Sequence, residues 1–300
     1  MLIMKTIAIL GPTASGKTSL SISLAHEFNA NILSLDSLSI YKEIDIASAK
    51  PTMSKREGIR HFGIDEIMPN ENFSVSLFFD IFKDALQVSK KEDKNLIIVG
   101  GTGFYLKSLM DGLSQKPHIS LKNRQEAKSL MQDIAKAYKI LERNDEEYAQ
   151  KISKNDTYRI EKWLEVFLQS GQSMTNYFKS AKKEALLKDI EIFEIDTPRD
   201  LLRQRIKIRT QDMIKQGLID EVVYLEKRYT RAPNSMRSIG IKEGLEFLDG
   251  FLNKDQLSEK ISINTAKLAK RQRTFNSTQF PLHVKGDLET LHASISKFLK

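Results

Sequence analysis

A glycine-rich stretch near the start of the chain has the residue types and spacing that bind phosphate groups. It reads Gly-Pro-Thr-Ala-Ser-Gly-Lys-Thr from Gly11 to Thr18, after the apolar run Ile7–Leu10 and before a helical pattern that starts at Ser19. This order of strand, G-x-x-x-x-G-K-[ST] and helix is typical of a P-loop, whose backbone N–H groups surround an anion at a helix N-terminus. The residues predicted to bind a diphosphate or triphosphate are Gly11, Thr13, Ala14, Ser15, Gly16, Lys17 and Thr18.

Two side chains of this stretch have separate predicted roles. Lys17 adds a mobile positive charge, and the hydroxyl of Thr18 is placed to hold Mg2+ against the same phosphates. We therefore expect Mg2+ as a cofactor, with Thr18 as its protein ligand. The alternative is a glycine-rich turn that binds nothing, which the flanking strand and helix disfavour.

A carboxylate follows the second predicted strand, Asn31–Leu35. Ligands of open parallel sheets bind beyond the carboxyl ends of the strands, so Asp36 is expected to face the P-loop across one crevice. The sequence leaves two compatible roles open. In the first, Asp36 holds Mg2+ or accepts a proton from a nucleophile; in the second, it is the N-cap of the next segment.

The third predicted strand, Asn95–Val99, ends in Gly100-Gly101-Thr102-Gly103. A P-loop kinase or ATPase commonly has an acidic metal ligand at this place. Glycines instead allow the backbone to approach a ligand closely, and Thr102 offers a hydroxyl. This pattern counts against an ordinary ATPase.

Two basic segments follow later in the chain. Arg205 and Arg209 are four residues apart on one predicted helix and share a face, which indicates either a guanidinium clamp for phosphate or a solvated charged surface. A C-terminal helix carries basic and polar residues, with Phe275 and Phe280 close behind. Such a mixture suits RNA phosphates and unstacked bases.

The elements that position these residues predict an α/β fold, a P-loop parallel sheet flanked by helices. From about Ser120 to Lys188 only helical patterns occur, the clearest with Ile160, Trp163 and Phe167 on one face. We therefore predict a catalytic core formed by residues 1–117 and 189–300, including C-terminal helices. Residues 118–188 are predicted to form an all-helical insertion subdomain.

Composition narrows the class of protein further. The 300 residues include no cysteine, which excludes disulfides and thiolate chemistry, and 47 Lys and Arg against 39 Asp and Glu, a net charge of +8. An excess of this size favours a polyanionic partner such as nucleic acid. No apolar run is long enough to cross a membrane, and no signal peptide precedes the P-loop, so we expect a cytoplasmic protein.

Taken together, the chain resembles the tRNA dimethylallyltransferases, also called tRNA isopentenyltransferases. The matching motifs occur in the family's order along nearly the whole chain. They are Gly11–Thr18, Asp36-Ser37 with Tyr41, Asp45-Ile46 with Ala49–Pro51, Gly100–Tyr105, Asn155-Asp156 with Arg159, Leu164–Val166, Arg205 and Arg209 before Met213, Ile239-Gly240 with Lys242-Glu243, and Ala269–Gln272. The chain departs from the family at Ser39, where Gln is usual.

The resemblance implies transfer of the dimethylallyl group of dimethylallyl diphosphate to N6 of the adenine just 3′ of a tRNA anticodon. The P-loop, with Arg205 and Arg209, would bind the donor's diphosphate, and the insertion would contact the anticodon stem of a tRNA bound by a monomer. The implied catalytic residues are Asp36, Lys17, Thr18 and Arg209. The implied tRNA contacts are Asp36, Ser37, Leu38, Ser39, Thr102, Tyr158, Arg159, Ile160, Glu161, Lys162, Lys270, Arg271 and Gln272.

Three alternatives compete with this interpretation. An adenylate isopentenyltransferase modifies a free nucleotide, a substrate that needs neither the insertion nor the basic C-terminal helix. A P-loop nucleoside or metabolite kinase is disfavoured by Gly100-Gly101 after the third strand. A non-catalytic RNA-binding module leaves Asp36 beside the P-loop without a purpose.

Overall fold

The chain forms two compact units in the computed structural model, which describes residues 4–114, 117–180, 183–280 and 282–300. The core unit comprises Met1–Met110 and Leu187–Lys300, and the insertion unit comprises Asp111–Leu186. The strands are β1 (Thr6–Leu10), β2 (Ala30–Ser34), β3 (His61–Phe62), β4 (Asn95–Gly100), β5 (Leu113–Ser114), β6 (Lys183–Glu184), β7 (Glu191–Ile195) and β8 (Val284–Gly286). The helices are α1 (Lys17–Glu27), α2 (Val75–Lys91), α3 (Gly103–Asp111), α4 (Leu121–Leu130), α5 (Ile134–Asn144), α6 (Glu146–Ala149), α7 (Thr157–Ser170), α8 (Met174–Ser180), α9 (Arg199–Lys215), α10 (Leu218–Tyr229), α11 (Ile241–Leu248), α12 (Lys254–Gln279) and α13 (Leu288–Leu299).

The core unit is built on a parallel sheet with the strand order β3-β2-β4-β1-β7-β8 across its described residues. β1 lies between β4 and β7, with Ile7 opposite Ile97 on one side and Glu191 on the other. Central parallel strands are covered on both faces, which explains why Ile7–Leu10 is a continuous apolar run and fully buried. The predicted parallel sheet flanked by helices is confirmed, and the short edge strands β3 and β8 add to it.

Helices cover the sheet through apolar side chains at helical spacing. α1 and α13 share one buried cluster with the sheet, in which Leu24 and Leu291 meet Ile9 and Phe193. α2 packs against β2 and β4 with its buried aromatic side chains, after Ser74 caps its first turn by accepting a hydrogen bond from the Leu77 amide at 3.2 Å. The carboxyl ends of the strands are thereby left open for the loops that follow them.

The helices α9 and α12 pack against each other beside the loop that follows β1. Their shared apolar cluster contains Leu202, Ile206 and Ala269, and Ala14 from the loop after β1 packs against it. Because the apolar residues of α9 point into this cluster, the basic residues between them fall on two other faces of the helix. This packing sets which arginines reach the loop.

The insertion unit has its own core around Trp163, which is fully buried and stacks on Phe167 with ring centroids 4.7 Å apart. Ile160 belongs to the same cluster, as its spacing predicts. One feature of the unit is not helical: β5 and β6 form a two-residue antiparallel ladder near its two ends. Strands this short have no periodicity that a sequence pattern can show.

No helix within the described ranges is both long and apolar enough to span a bilayer.

The Asp145 carboxylate is the main polar group inside the insertion unit. Its Oδ2 accepts hydrogen bonds from Trp163 Nε1 at 2.9 Å and from the Thr175 amide at 3.0 Å, and its Oδ1 accepts one from the Tyr148 amide at 3.3 Å. Burial acts to raise the pKa of Asp145, but these hydrogen bonds outweigh it and leave the pKa below its usual value.

We expect Asp145→Ala to lower the free energy of unfolding of the insertion unit by about 3 kcal/mol, because the buried indole N–H loses its acceptor. The matched control is Asp133→Ala, which removes an exposed cap on the Lys136 amide and should cost about 1 kcal/mol. Urea unfolding followed through the fluorescence of Trp163, the single tryptophan, measures both.

The same carboxylate gives this stability a pH dependence. Because its folded pKa lies below the unfolded value of about 4, the contribution is present above that value and is lost as the pH falls through the folded pKa. Equal losses in the two variants, or a wild-type stability that does not fall relative to Asp145→Ala on acidification, would contradict this assignment.

Candidate active site

The glycine-rich loop, Gly11–Thr18, joins β1 to α1 and has the backbone of an anion site. Gly16 adopts φ 97° at the N-cap position of α1, and a Cβ there would lie 3.0 Å from the Leu288 side chain, so glycine is required. Gly16 has no side chain with which to cap the first turn of α1, and no such cap comes from it in the described structure. The N–H groups at this helix end are therefore available to an anion.

The hydroxyl of Ser15 is a second group in the glycine-rich loop that could donate a hydrogen bond to an anion. The residue is fully buried, and its hydroxyl has no hydrogen-bond partner among the residues that the structure describes. A buried hydroxyl without a partner carries a desolvation cost of about 1–3 kcal/mol. A phosphate oxygen in the loop would accept this hydrogen bond.

Lys17 folds back over the loop, where its Nζ donates to the Pro12 carbonyl at 2.6 Å. Removal of the ammonium from water lowers the pKa of Lys17 to about 7; nearby Asp36 acts to raise it, and Arg209 lowers it further. Near neutral pH the charge on this lysine is thus sensitive to any anion that binds beside it.

Arg205 and Arg209 reach the glycine-rich loop from α9. Nη1 of Arg205 lies 3.5 Å from the Ser15 carbonyl oxygen, and Nη1 of Arg209 lies 3.5 Å from Thr13 Oγ1. Both are half-buried, and burial lowers the pKa of Arg209 against the opposing effect of Asp36. Both arginines therefore approach the loop rather than forming part of the solvated surface of α9, and Arg209 also borders the space beside Asp36.

Gln272 of α12 closes the site from the other side. Its Oε1 accepts a hydrogen bond from the Thr13 amide at 2.9 Å, and its Nε2 would lie 2.3 Å from a Cβ placed on Gly101. A side chain at residue 101 is thus incompatible with this position of the amide. The sequence marks Gly101 as a place where a ligand could approach the backbone closely. In the structure, the side chain of Gln272 occupies that space.

Asp36 lies just beyond β2 and uses one carboxylate oxygen to hold its own turn. Its Oδ1 accepts hydrogen bonds from the amides of Leu38 at 2.8 Å and Ser39 at 3.2 Å. Its Oδ2 receives no hydrogen bond from the described residues. The capping role is therefore present, and one oxygen remains for a substrate.

Two cavities of the core unit meet at Asp36. The first, about 280 Å3, is lined by the glycine-rich loop from Thr13 to Thr18 and by Lys50 and His61. The second, about 240 Å3, has Thr102 and the apolar side chains of Ile206, Met213, Ile239 and Leu268 in its walls. The residues common to both are Thr13, Asp36, Ser48, Arg209 and Gln272.

This arrangement places a carboxylate between an anion-binding half and a half whose walls are partly apolar. It suits the transfer of a group from a molecule that carries a diphosphate to an acceptor held beside Asp36. Lys50, in the wall of the first cavity, is already neutralised by Asp45 at 2.6 Å and by Asp65. Among the described residues, Lys17 and Arg209 are therefore the lining Lys and Arg side chains left for the anion, and Arg205 lies close by at the Ser15 carbonyl oxygen.

Glu221, in the first turn of α10, is a residue of the site that sequence reasoning missed. Its carboxylate accepts hydrogen bonds from the amides of Asp45, Ile46 and Ala47 at 2.9, 2.7 and 2.9 Å. These amides begin the loop whose later residue Ser48 lines both cavities. In the sequence, Glu221 is indistinguishable from any acidic residue of a helix first turn.

The predicted tRNA-contacting residues fall into several places. Ser37, Leu38 and Thr102 line the second cavity, whereas Ser39 is buried in the wall of the first. Arg271 is exposed on α12, and Lys270 lies in a different cleft, described below.

The remaining predicted contacts, residues 158–162, belong to α7 of the insertion unit. Tyr158 is 67% exposed, and Arg159 is exposed beside Asp156 at 2.9 Å. Glu161 and Lys162 are half-buried, the latter paired with Glu165. The side chain of Ile160 is fully buried in the core of that unit and offers no surface to an RNA.

Thr18 is exposed in the first turn of α1 and lines the first cavity together with Asp36. Among the described residues, no group of three or more His, Cys, Asp or Glu is arranged to hold a metal. Mg2+ commonly takes one or two protein oxygens and completes its shell with phosphate oxygens and water. The donor set fits an Mg2+ that is held mainly by a phosphorylated ligand.

Comparison with known proteins gives a consistent result. The model of the IPP transferase family matches residues 39–279. The tRNA dimethylallyltransferase of Sulfurovum sp. (strain NBC37-1) is 50% identical over 288 residues, which cover 96% of each chain. That of Aliarcobacter butzleri is 52% identical over 295 residues, which cover 98% of this chain and 99% of the relative.

Solved structures agree. The full-length tRNA isopentenylpyrophosphate transferase of Bacillus halodurans has a TM-score of 0.72 at 28% identity, covering 99% of this chain and 97% of that one. A eukaryotic dimethylallyltransferase acting on tRNA has a TM-score of 0.83 at 26% identity, covering 95% of this chain and 74% of that one.

The pKa of Lys17 predicts how anion binding depends on pH. We expect the affinity for inorganic pyrophosphate, relative to Lys17→Met, to be constant below about pH 7 and to decline above it, because only the protonated amine attracts the anion. The decline is at most tenfold per pH unit and ends at the raised pKa of the bound state.

Isothermal calorimetry between pH 6 and 9 measures both proteins, and Lys17→Met removes the contribution of pyrophosphate's own protonation. At pH 8 the wild type should also take up nearly one proton on binding, detected in buffers of different ionisation enthalpy. A ratio of affinities that stays constant over this range would show that the charge on Lys17 does not change between pH 6 and 9, and would contradict the prediction.

The three hydrogen bonds of Glu221 predict local protection. In Glu221→Ala, hydrogen exchange at the amides of Asp45, Ile46 and Ala47 should accelerate by about 10- to 100-fold, since each loses its acceptor. Asp220→Ala is the control, because this neighbouring carboxylate accepts no hydrogen bond from the three amides among the described residues. Exchange rates at these amides that match in the two variants would exclude this role.

Proposed function

The chain belongs to the tRNA dimethylallyltransferase family, and from this membership we propose its reaction. It transfers the dimethylallyl group of dimethylallyl diphosphate to N6 of the adenine 3′-adjacent to a tRNA anticodon, giving N6-isopentenyladenosine and diphosphate. One observation supports a particular site for this reaction in our proposal. Asp36 lies between the first cavity, at the glycine-rich loop, and the second cavity, whose walls are partly apolar.

The donor's diphosphate occupies the first cavity in this proposal. The N–H groups of the glycine-rich loop and the unpartnered Ser15 hydroxyl bind its oxygens, and Lys17, Arg205 and Arg209 balance its charge. Because negative charge accumulates on the diphosphate as its bond to the allylic carbon breaks, these fixed cations favour the transition state over the ground state.

The acceptor is an exocyclic amine, which is a poor nucleophile while its lone pair is delocalised into the ring. The adenine therefore has to leave the anticodon-loop stack and be held against the allylic carbon in the second cavity. The new bond joins N6 to that carbon as the carbon–oxygen bond breaks. Oδ2 of Asp36 accepts the proton that N6 loses, and the electron pair of the broken bond leaves with the diphosphate.

Thr18 is the residue that would hold Mg2+ in this site, together with oxygens of the donor. When bound, the ion would neutralise part of the charge on the departing diphosphate. The protein itself contributes the orientation of the two substrates, the cations listed above and the carboxylate of Asp36.

The finer features of the proposal concern the partner and its setting. Ser37, Leu38 and Thr102, which line the second cavity, contact the flipped nucleotide and its neighbours, and exposed residues of α7 such as Tyr158 contact the anticodon stem. We propose a cytoplasmic monomer, in keeping with a substrate that meets the protein as a single RNA molecule.

The test is single-turnover transfer from radiolabelled dimethylallyl diphosphate to an anticodon stem-loop RNA, with AMP and ATP as rival acceptors. Label should enter only the RNA. Asp36→Ala should be slower by roughly a hundredfold or more, as expected when a general base is lost, and Lys17→Ala should also be slower. Asp84→Ala, which removes an exposed carboxylate from α2 that lines neither cavity, is the control.

Other outcomes assign the protein elsewhere. Label entering AMP instead of the RNA would indicate an adenylate isopentenyltransferase. Label in neither, with phosphoryl transfer from ATP, would indicate a kinase. An Asp36→Ala protein as active as Asp84→Ala would remove the carboxylate from the reaction.

A further inference from the structure

A larger cleft of about 980 Å3 lies between α9 and α12. Its floor is apolar, with Leu202, Ile206 and Ala269 buried, whereas its walls are strongly charged. Six basic side chains line it against two acidic ones. The basic residues are Arg199, Arg203, Lys207, Lys267, Lys270 and Arg273, and the acidic residues are Asp255 and Glu259.

Most of this positive charge is not neutralised. Lys207, Lys267 and Lys270 are exposed and have no ion pair with any residue in the described ranges, and the same holds for Arg199. Arg203 approaches Asp200 only at 3.8 Å, with both side chains exposed, and such a pair contributes little. Several like charges held together without counterions favour an anionic partner.

The basic residues form rows rather than a single point. On α9, Arg199, Arg203 and Lys207 are spaced by four residues and therefore share one face over about 12 Å. On α12, Lys267 and Lys270 are spaced by three and face the same cleft. The two carboxylates lie at the other end of α12, since eight residues, or about 12 Å of helix, separate Glu259 from Lys267.

Charges spread over such a length cannot all contact one small anion, but they can contact successive phosphates of a polyanion. We propose that the cleft between α9 and α12 binds the sugar–phosphate backbone of the substrate tRNA, away from the nucleotide that is modified. This rests on the proposed function for the identity of the polyanion. The cleft then supplies affinity and not base selection, because phosphate contacts carry no sequence information.

The test compares two pairs of lysines. Lys207→Gln/Lys267→Gln removes two charges from the cleft, whereas Lys83→Gln/Lys90→Gln removes two exposed charges from α2 and is the matched control. Binding of a full-length tRNA transcript is measured by fluorescence anisotropy between 50 and 300 mM salt, and binding of inorganic pyrophosphate by calorimetry.

For the cleft pair, Kd for the tRNA should rise by about 10- to 30-fold near 0.1 M salt, and the slope of log K against log salt should fall by about 1.4–1.8, or 0.7–0.9 for each lost contact. The control pair should change Kd by less than about threefold. Pyrophosphate affinity and the transfer rate at saturating tRNA should match wild type in both pairs, because neither Lys207 nor Lys267 lines the two cavities at Asp36.

Equal changes in the two pairs, or an unchanged salt slope in the cleft pair, would overturn the inference while leaving the proposed function intact. Direct binding of poly-glutamate to the wild type that the cleft pair abolishes, with tRNA binding unaffected, would instead indicate an acidic protein partner and would also overturn it. Conversely, if the wild type binds tRNA through these lysines but transfers no label, the inference about the cleft stands and the proposed reaction is refuted.

Discussion

The hydrogen bond from the Thr13 amide to the side chain of Gln272 joins residues 259 positions apart and determines the shape of the candidate active site. It fixes α12 over the glycine-rich loop, and α9, packed against α12, is fixed with it. Gly101 has to lack a side chain because the Gln272 amide occupies that space. Arg205 and Arg209 reach the loop because α9 packs against α12 through Leu202, Ile206 and Ala269.

The candidate active site brings positively charged side chains together and removes them partly from water. Burial lowers the pKa values of Lys17 and Arg209, and Asp36 alone opposes the shift in each case. A diphosphate would relieve both effects at once, since it supplies the counter-charge and the acceptor that Ser15 lacks. The site is therefore organised for an anion before one arrives, which is the condition for electrostatic catalysis without reorganisation.

Sequence patterns could predict the parts that depend on local signals. β1, the glycine-rich loop and α1 follow from an apolar run, two glycines and a helical period, and the pairing of Arg205 with Arg209 follows from their spacing of four. The edge strands β3 and β8 could not be predicted, because two or three residues show no alternation. The roles of Gln272 and Glu221 depend on contacts between distant segments, and no local pattern encodes those.

The two charged faces of α9 explain the excess of basic residues better than a general affinity for nucleic acid does. Residues 205 and 209 lie one turn apart and face the loop, whereas residues 199, 203 and 207 lie one turn apart from each other and face the cleft. The apolar residues Leu202 and Ile206 between the faces hold the helix against α12. One helix can therefore present half-buried guanidinium groups to a small anion and exposed cations to a long one. The burial of each face, and not its charge, decides which anion it can bind, because only the buried face excludes the water that screens a single diphosphate.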